Sequence, residues 1–154
     1  MATEIERKFL VKGDKWRALA TGTLYRQGYI RTTSKTTVRV RVVGDKGYLT
    51  IKGKNQGNSR AEFEYPIPVE DAQEMLDKLC ERPLIEKTRY KIKIGEVTWE
   101  IDEFAGENQG LIIAEVELTD ENQILELPEW IGEEVSQDPR YFNANLAQHP
   151  FSQW

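Results

Sequence analysis

Alternation of apolar and charged residues is the feature of this sequence that most restricts how the chain can fold. The segment VRVRV alternates three valines with Arg39 and Arg41, and the segment WEIDEF alternates apolar residues with Glu100 and Asp102. Because side chains project to opposite sides along a strand, each segment has one apolar face and one ionic face. The pattern predicts β-strands that bury their apolar face.

Eight segments have strand-like patterns, and turn signals such as GDKG, KGKNQGNS and GENQG separate several of them. Short connections favour antiparallel pairing of consecutive strands. The candidate strands are residues 3–11, 25–31, 37–43, 47–53, 61–67, 87–94, 97–104 and 112–119.

Helical patterns are few. They occur in DKWRALA and VEDAQEMLDKLCER, and a short C-terminal turn is expected near DPRYFNANLA. Cys80 is expected to be a core residue of the second helix, because apolar residues precede it at helical spacing. No internal repeat or long linker divides the sequence, so we expect one domain over residues 1–154, with an α+β fold dominated by sheet.

Composition excludes several classes of partner. The net charge of −5 and the pI near 5.1 argue against general nucleic-acid binding, which usually requires a basic surplus. No apolar run approaches the roughly 18–20 residues that span a bilayer, and the charged start MATEIERKFL lacks the apolar core of a signal peptide. We therefore expect a cytoplasmic protein without a membrane partner, as a monomer or a homodimer.

Neighbouring positions on the ionic faces repeatedly carry like charges. A half-buried sheet whose polar face meets water would explain any single strand. Like charges two residues apart on one face lie about 7 Å apart and repel, so repeated doublets favour a ligand of opposite charge. The doublets are Glu4/Glu6, Arg39/Arg41, Lys87/Arg89, Glu100/Asp102 and Glu115/Glu117.

About eight strands can close a β-barrel with room for one small ligand, and the ionic faces would then line its lumen. Arginine and lysine suit phosphate oxygens, whereas clustered carboxylates without thiolate or imidazole partners favour Mg²⁺ or Mn²⁺ over zinc. A complex of a divalent metal with a polyphosphate would bind both the basic and the acidic side chains. The luminal cations would be Lys8, Arg39, Arg41, Lys52, Lys87 and Arg89, and the carboxylates Glu4, Glu6, Glu62, Glu64, Glu100, Asp102, Glu115 and Glu117.

The order of these charged pairs along the chain resembles the CYTH, or triphosphate tunnel metalloenzyme, family. The sequence has E-x-E-x-K at residues 4–8, R-x-R at 39–41, T-x-K at 50–52, E-x-E at 62–64, K-x-R at 87–89, E-x-D at 100–102 and E-x-E at 115–117. The resemblance implies an eight-stranded antiparallel tunnel with a few covering helices, triphosphate binding and a divalent metal. A short chain of this kind is most similar to the stand-alone bacterial inorganic triphosphatases.

Chemistry and resemblance together suggest a role for each ionic group. Lys87 is a candidate for orienting the attacking water, beside the catalytic carboxylates Glu4 and Glu6. Glu62, Glu64 and Glu100 are expected to orient the basic side chains. The predicted metal ligands are Glu4, Glu6, Asp102, Glu115 and Glu117, and the predicted substrate-binding residues are Lys8, Arg39, Arg41, Lys52, Lys87 and Arg89.

The leading functional hypothesis is metal-dependent hydrolysis of inorganic triphosphate to pyrophosphate and phosphate. An adenylyl cyclase, a thiamine or nucleoside triphosphatase of the same fold, and a non-catalytic polyphosphate-binding module are the alternatives. Tyr25, Tyr29 and Arg31 share one face of their strand and fit tunnel contact and structural packing equally well.

Overall fold

The computed structural model describes residues 3–154, in which eight antiparallel strands close into a barrel. Each strand pairs with its neighbours in the order β5-β4-β3-β2-β6-β7-β8-β1, and pairing of β1 with β5 closes the ring. The strands are β1 (Thr3–Val11), β2 (Thr23–Ile30), β3 (Thr37–Val43), β4 (Lys46–Lys52), β5 (Ser59–Ile67), β6 (Ile85–Ile94), β7 (Val97–Phe104) and β8 (Ile112–Glu117). The predicted fold class is confirmed, and the predicted strand ends agree within two residues.

Strand register brings the ionic faces together inside the barrel. Lys8 on β1 lies opposite Glu115 on β8, and Arg89 on β6 lies opposite Asp102 on β7. The chain carries 31% charged residues, and these four charged side chains are largely buried. Burial of so many charges is tolerable only where they are paired or bind a ligand, so the lumen is the place to look for a site.

The apolar faces point outward and are covered by the remaining elements. Helix α1 (Val69–Lys78) packs Ala72 and Leu76 against Val40 and Val42 of β3. Trp16, which is fully buried, packs in another apolar cluster with Trp99 and Trp130. Each fully buried apolar side chain of this size stabilises the fold by about 1.5–3 kcal/mol relative to exposure. Several outward strand residues remain exposed, among them Leu24, Ile51, Phe63 and Tyr65.

Helix α1 is shorter than its sequence pattern predicts. It ends at Lys78, although the amphipathic segment continues to residue 82. The backbone N–H of Glu81 instead donates to the Tyr29 carbonyl, and Pro83 disfavours helical geometry at the preceding residue. Cys80 therefore lies beyond the helix, where it packs partly buried against the α1 cluster.

Several short elements lie outside the barrel strands and α1. DKWRALA forms a 3₁₀ turn, Lys15–Leu19, rather than an α-helix. The C-terminal turn is a 3₁₀ segment, Pro139–Tyr141, followed by α2 (Asn143–Gln148). A short strand, β9 (Ile131–Glu134), adds to the outer side of β1 and was not predicted, because its IGEE segment is too short to show alternation. No helix within residues 3–154 is long and apolar enough to cross a membrane.

Candidate active site

A cavity of about 630 Å³ occupies the barrel lumen. Every residue predicted for the site lines it except Asp102. The predicted residues that the structure brings together are Glu4, Glu6, Lys8, Arg39, Arg41, Lys52, Glu62, Glu64, Lys87, Arg89, Glu100, Glu115 and Glu117. Alternation along the strands therefore identified one continuous surface.

Two buried lysines are paired with carboxylates at the β1 side of the lumen. Lys8 Nζ lies 2.8 Å from Glu115 Oε1, and Lys52 Nζ lies 2.9 Å from Glu4 Oε1. Arg60 Nε donates to the same Glu4 oxygen at 2.9 Å. Burial alone would raise the pKa of Glu4, but Lys52 and Arg60 hold it down at about 2. Glu4 is thus a carboxylate with two cationic partners.

Asp102 lies fully buried beneath the cavity wall, between two cations. It accepts hydrogen bonds from Arg89 Nε at 2.7 Å and from Arg89 Nη2 at 2.8 Å, and Lys87 Nζ lies 2.7 Å from its Oδ2. These two cations keep the pKa of Asp102 below its usual range despite burial. This position differs from that of a metal ligand in the lumen, and it suits a residue that fixes Lys87 and Arg89.

Lys87 is the most deeply buried cation of the site. Burial lowers its pKa to about 7; attraction to Asp102 opposes this shift, and repulsion from Arg89 and Arg41 adds to it. Its Nζ also donates to Asn143 Oδ1 of α2 at 2.8 Å. A lysine in this state can exchange a proton near neutral pH, which an exposed lysine cannot.

Arg39 and Arg41 are buried with few acceptors. Arg39 Nη2 reaches Thr50 Oγ1 at 3.2 Å and Glu64 Oε1 at 3.3 Å, while its Nε has no hydrogen-bond partner among residues 3–154. Arg41 Nε donates to Gln27 Oε1 at 2.8 Å. Burial, with repulsion from Arg39 and Arg89, lowers the pKa of Arg41 to about 9. Both guanidinium groups lack the full set of acceptors that buried arginine requires, so they are suited to bind an anion.

Carboxylates crowd the opposite part of the lumen. Glu6 lies directly across the β1–β8 ladder from Glu117. Burial and the nearby charge of Glu115 raise the pKa of Glu6 to about 7, and burial with the charges of Glu4 and Glu100 raises that of Glu117. Burial and repulsion between neighbouring carboxylates thus disfavour the charged forms of Glu6 and Glu117, and a bound cation would favour them.

Several site residues were absent from the sequence prediction. Arg60 lies on the same face of β5 as the E-x-E pair at residues 62–64, so extending the alternation by one step would have found it. Gln27 and Asn143 are uncharged and gave no signal, and α2 reaches the lumen only through tertiary packing. Tyr29 lines the cavity, whereas Arg31 is exposed and pairs with Glu81 on the surface.

Residues 2–151 match the family model of the CYTH domain. The chain belongs to the CYTH family. The resemblance inferred from the ordered charge pairs is therefore confirmed.

Two curated relatives and one solved structure extend this CYTH assignment. The chain is 58% identical over 151 residues to an inorganic triphosphatase of Acetivibrio thermocellus, covering 98% of this chain and 97% of the relative. It is 40% identical to an inorganic triphosphatase of Nitrosomonas europaea, covering 94% and 97%. The solved structure of the inorganic triphosphatase NE1496 superposes with a TM-score of 0.64 at 38% identity, covering 93% of this chain and 96% of that one.

The donor set of this CYTH chain fits a hard divalent cation, although the ligands are not gathered in advance. Within the described part of the chain, residues 3–154, no three acidic, histidine or cysteine side chains form a ready-made metal cluster. Glu4 and Glu115 are engaged closely by lysines. Glu6 has only the more distant Lys8 Nζ, at 3.7 Å from its Oε1, and it lies opposite Glu117 in the β1–β8 ladder. Uncompensated carboxylate oxygens, without sulfur or imidazole neighbours, are the ligands that Mg²⁺ and Mn²⁺ prefer.

Proposed function

We propose that this CYTH chain hydrolyses inorganic triphosphate to pyrophosphate and phosphate inside the barrel, with a divalent cation bound. The observation that carries the proposal is the division of one cavity into under-compensated arginines and under-compensated carboxylates. A polyphosphate with a divalent cation is a single ligand that supplies both missing charges. The names of the two relatives, at 58% and 40% identity, support the same substrate class.

The basic residues would hold the linear triphosphate. Arg39 and Arg41 offer forked N–H donors to phosphate oxygens, and the Nε of Arg39 has no other partner among residues 3–154. Lys8 and Lys52 offer compact charge beside the carboxylates. Arg89, fixed by Asp102, would stabilise negative charge that accumulates on the leaving pyrophosphate. The binding groups are Lys8, Arg39, Arg41, Lys52, Lys87 and Arg89.

The carboxylates Glu6 and Glu117 would hold the cation, with Glu4 and Glu115 joining when phosphate draws their lysine partners away. When bound, Mg²⁺ or Mn²⁺ supplies neutralisation of phosphate charge and lowers the pKa of coordinated water. Glu62, Glu64 and Glu100 form ion pairs with Lys52, Arg39 and Arg89, respectively, and would orient those cations.

Lys87 would orient the attacking water at the terminal phosphorus. A new bond forms between the water oxygen and that phosphorus while the adjacent P–O bridge bond breaks, so orthophosphate and pyrophosphate leave. Asp102 and Asn143 fix the Lys87 amino group. Its pKa near 7 would allow the neutral amine to accept the proton that the attacking water loses.

Product analysis separates this function from its alternatives. Tripolyphosphate and ATP would each be incubated with Mg²⁺ or Mn²⁺, and the products identified as phosphate, pyrophosphate or cyclic AMP. The proposal predicts equal amounts of phosphate and pyrophosphate from tripolyphosphate. Cyclic AMP from ATP would support a cyclase, and binding without turnover would support a polyphosphate-binding module.

A matched pair of variants tests where the reaction occurs. Lys87→Ala removes the buried lysine, whereas Lys93→Ala removes an exposed lysine of the same strand. We expect the first to lose most of the turnover and the second to keep it.

The substrate class implies a small-molecule partner, and the cytoplasmic location stays a prediction from the sequence.

A further inference from the structure

We propose that Tyr25 is a positioning residue, whose ring holds the guanidinium groups of Arg41 and Arg89 and closes one end of the luminal cavity. The inference rests on the proposed triphosphatase function, because the two arginines matter there as phosphate ligands. Tyr25 itself is not among the residues that line the main cavity. Its role would be exerted through the arginines.

Both arginines reach the same ring from neighbouring strands. Tyr25 is 6% exposed, and the centre of its ring lies 5.0 Å from Arg41 Cζ and 4.9 Å from Arg89 Cζ. Strand β2 lies between β3 and β6, and the register places Arg41 opposite Gln27 and Arg89 opposite Thr23. Each arginine is therefore one diagonal step from Tyr25, on either side of it.

The ring compensates the charge of Arg41, which has few other partners, whereas Arg89 is also paired with Asp102. Arg41 has no carboxylate within 4 Å among residues 3–154, and the hydrogen bond from its Nε to Gln27 fixes only one side of its guanidinium group. An aromatic face attracts a buried cation more strongly than an exposed one, because water does not compete. The Tyr25 ring thus attracts two cations that repel each other. Because it contacts the face of the Arg41 guanidinium group, it leaves the terminal nitrogens of Arg41 available for phosphate.

Tyr25 also separates the main cavity from a second depression in the surface. That depression is lined by Tyr25, Val43, Arg89 and Lys91, together with residues 19–21 and 23. Arg89 borders both spaces, and Tyr25 borders only the outer one. At the other end of the barrel the main cavity reaches Lys35 and Lys54, in the loops before β3 and after β4. Triphosphate and its products would pass through that basic end.

Replacing the ring tests the positioning role. We expect Tyr25→Leu to raise the KM for tripolyphosphate by about tenfold or more, with a smaller effect on kcat. Tyr25→Phe keeps the ring and should restore most of the loss. Phe63→Leu, an aromatic replacement on the exposed outer face, is the matched control and should leave KM unchanged. Equal KM values for wild type and Tyr25→Leu would overturn the inference.

Two further measurements remain decisive if Tyr25→Leu does not fold. Phenylalanine with increasing numbers of ring fluorines at position 25 keeps the shape while weakening the attraction for cations, so KM should rise with each fluorine. A double-mutant cycle combines Arg41→Ala with the fluorinated phenylalanine at position 25. The increase in KM caused by Arg41→Ala should be smaller with the fluorinated ring than with Tyr25. A constant KM across the series together with an additive cycle would exclude the role. Turnover of the wild-type protein is measured first. If the wild type does not hydrolyse tripolyphosphate, the proposed function is refuted. The positioning role of Tyr25 is then tested by the affinity of the same variants for tripolyphosphate, measured by direct binding.

Discussion

Lys87 and Arg89 of the lumen, with Asp102 beneath the cavity wall, form the part of the site in which individual side chains depend most on one another. Asp102 is fully buried, accepts hydrogen bonds from Arg89 and forms an ion pair with Lys87, so its loss would leave two buried charges without a main partner. Sequence alternation placed Lys87 and Arg89 correctly on the luminal face. Alternation could not show that Asp102 is paired with Lys87 and Arg89, because that pairing depends on the register of β6 against β7.

Replacement of Asp102 should therefore cost stability as well as activity. We expect Asp102→Ala to lower the free energy of unfolding by about 3 kcal/mol or more, because breaking a buried ion pair leaves an uncompensated charge. Urea unfolding monitored by circular dichroism measures the change. Glu74→Ala, which breaks an exposed pair with Lys78 on α1, is the control and should change stability little. Equal unfolding midpoints for the two variants would contradict the pairing.

Glu6 gives the metal-free protein a characteristic dependence of stability on pH. Its folded-state pKa is raised from 4.5 to about 7, so between these values the folded state binds more protons than the unfolded state. Stability contributed by this group is therefore present below pH 4.5 and is lost as pH rises towards 7. We expect Glu6→Gln to gain up to about 3 kcal/mol relative to wild type across this interval, in chelator. Parallel pH profiles of the two proteins would show that Glu6 is not crowded by carboxylates.

At the scale of elements, the other barrel strands carry the charged side chains of the site. Strand β2 and helix α2 supply uncharged side chains that hold those charged groups in place. The luminal face of β2 presents Tyr25, Gln27 and Tyr29, which are uncharged and contact the cations or each other. The strands could be predicted because alternation is a local property of the sequence. The contribution of α2 could not, because NANLAQ has no amphipathic pattern that points Asn143 at Lys87.

Asn143 tests whether α2 contributes to the site. Asn143→Ala removes the acceptor 2.8 Å from Lys87 Nζ, and we expect kcat to fall about tenfold, as for loss of a hydrogen bond to a charged group. Gln148→Ala changes an exposed residue of the same helix and serves as the control. Normal kcat in a folded Asn143→Ala variant would mean that Asp102 alone is sufficient to fix Lys87.

At the scale of the whole molecule, barrel closure turns separate charged strand faces into one enclosed site. The protein has a net charge of −5, yet arginines and lysines are concentrated where water is scarce and each charge acts more strongly. Closure was predictable from the number of strands and their short connections. The pairing of individual carboxylates with lysines was not, because it depends on contacts between strands distant in sequence, such as Glu4 with Lys52.

The most direct test of the account is to follow the oxygen of the attacking water. Tripolyphosphate would be hydrolysed with Mg²⁺ or Mn²⁺ in ¹⁸O-labelled water, and the products analysed by ³¹P NMR. Attack at the terminal phosphorus, beside Lys87, predicts that one labelled oxygen enters orthophosphate and none enters pyrophosphate. Label in pyrophosphate, or no hydrolysis with either metal, would contradict the account.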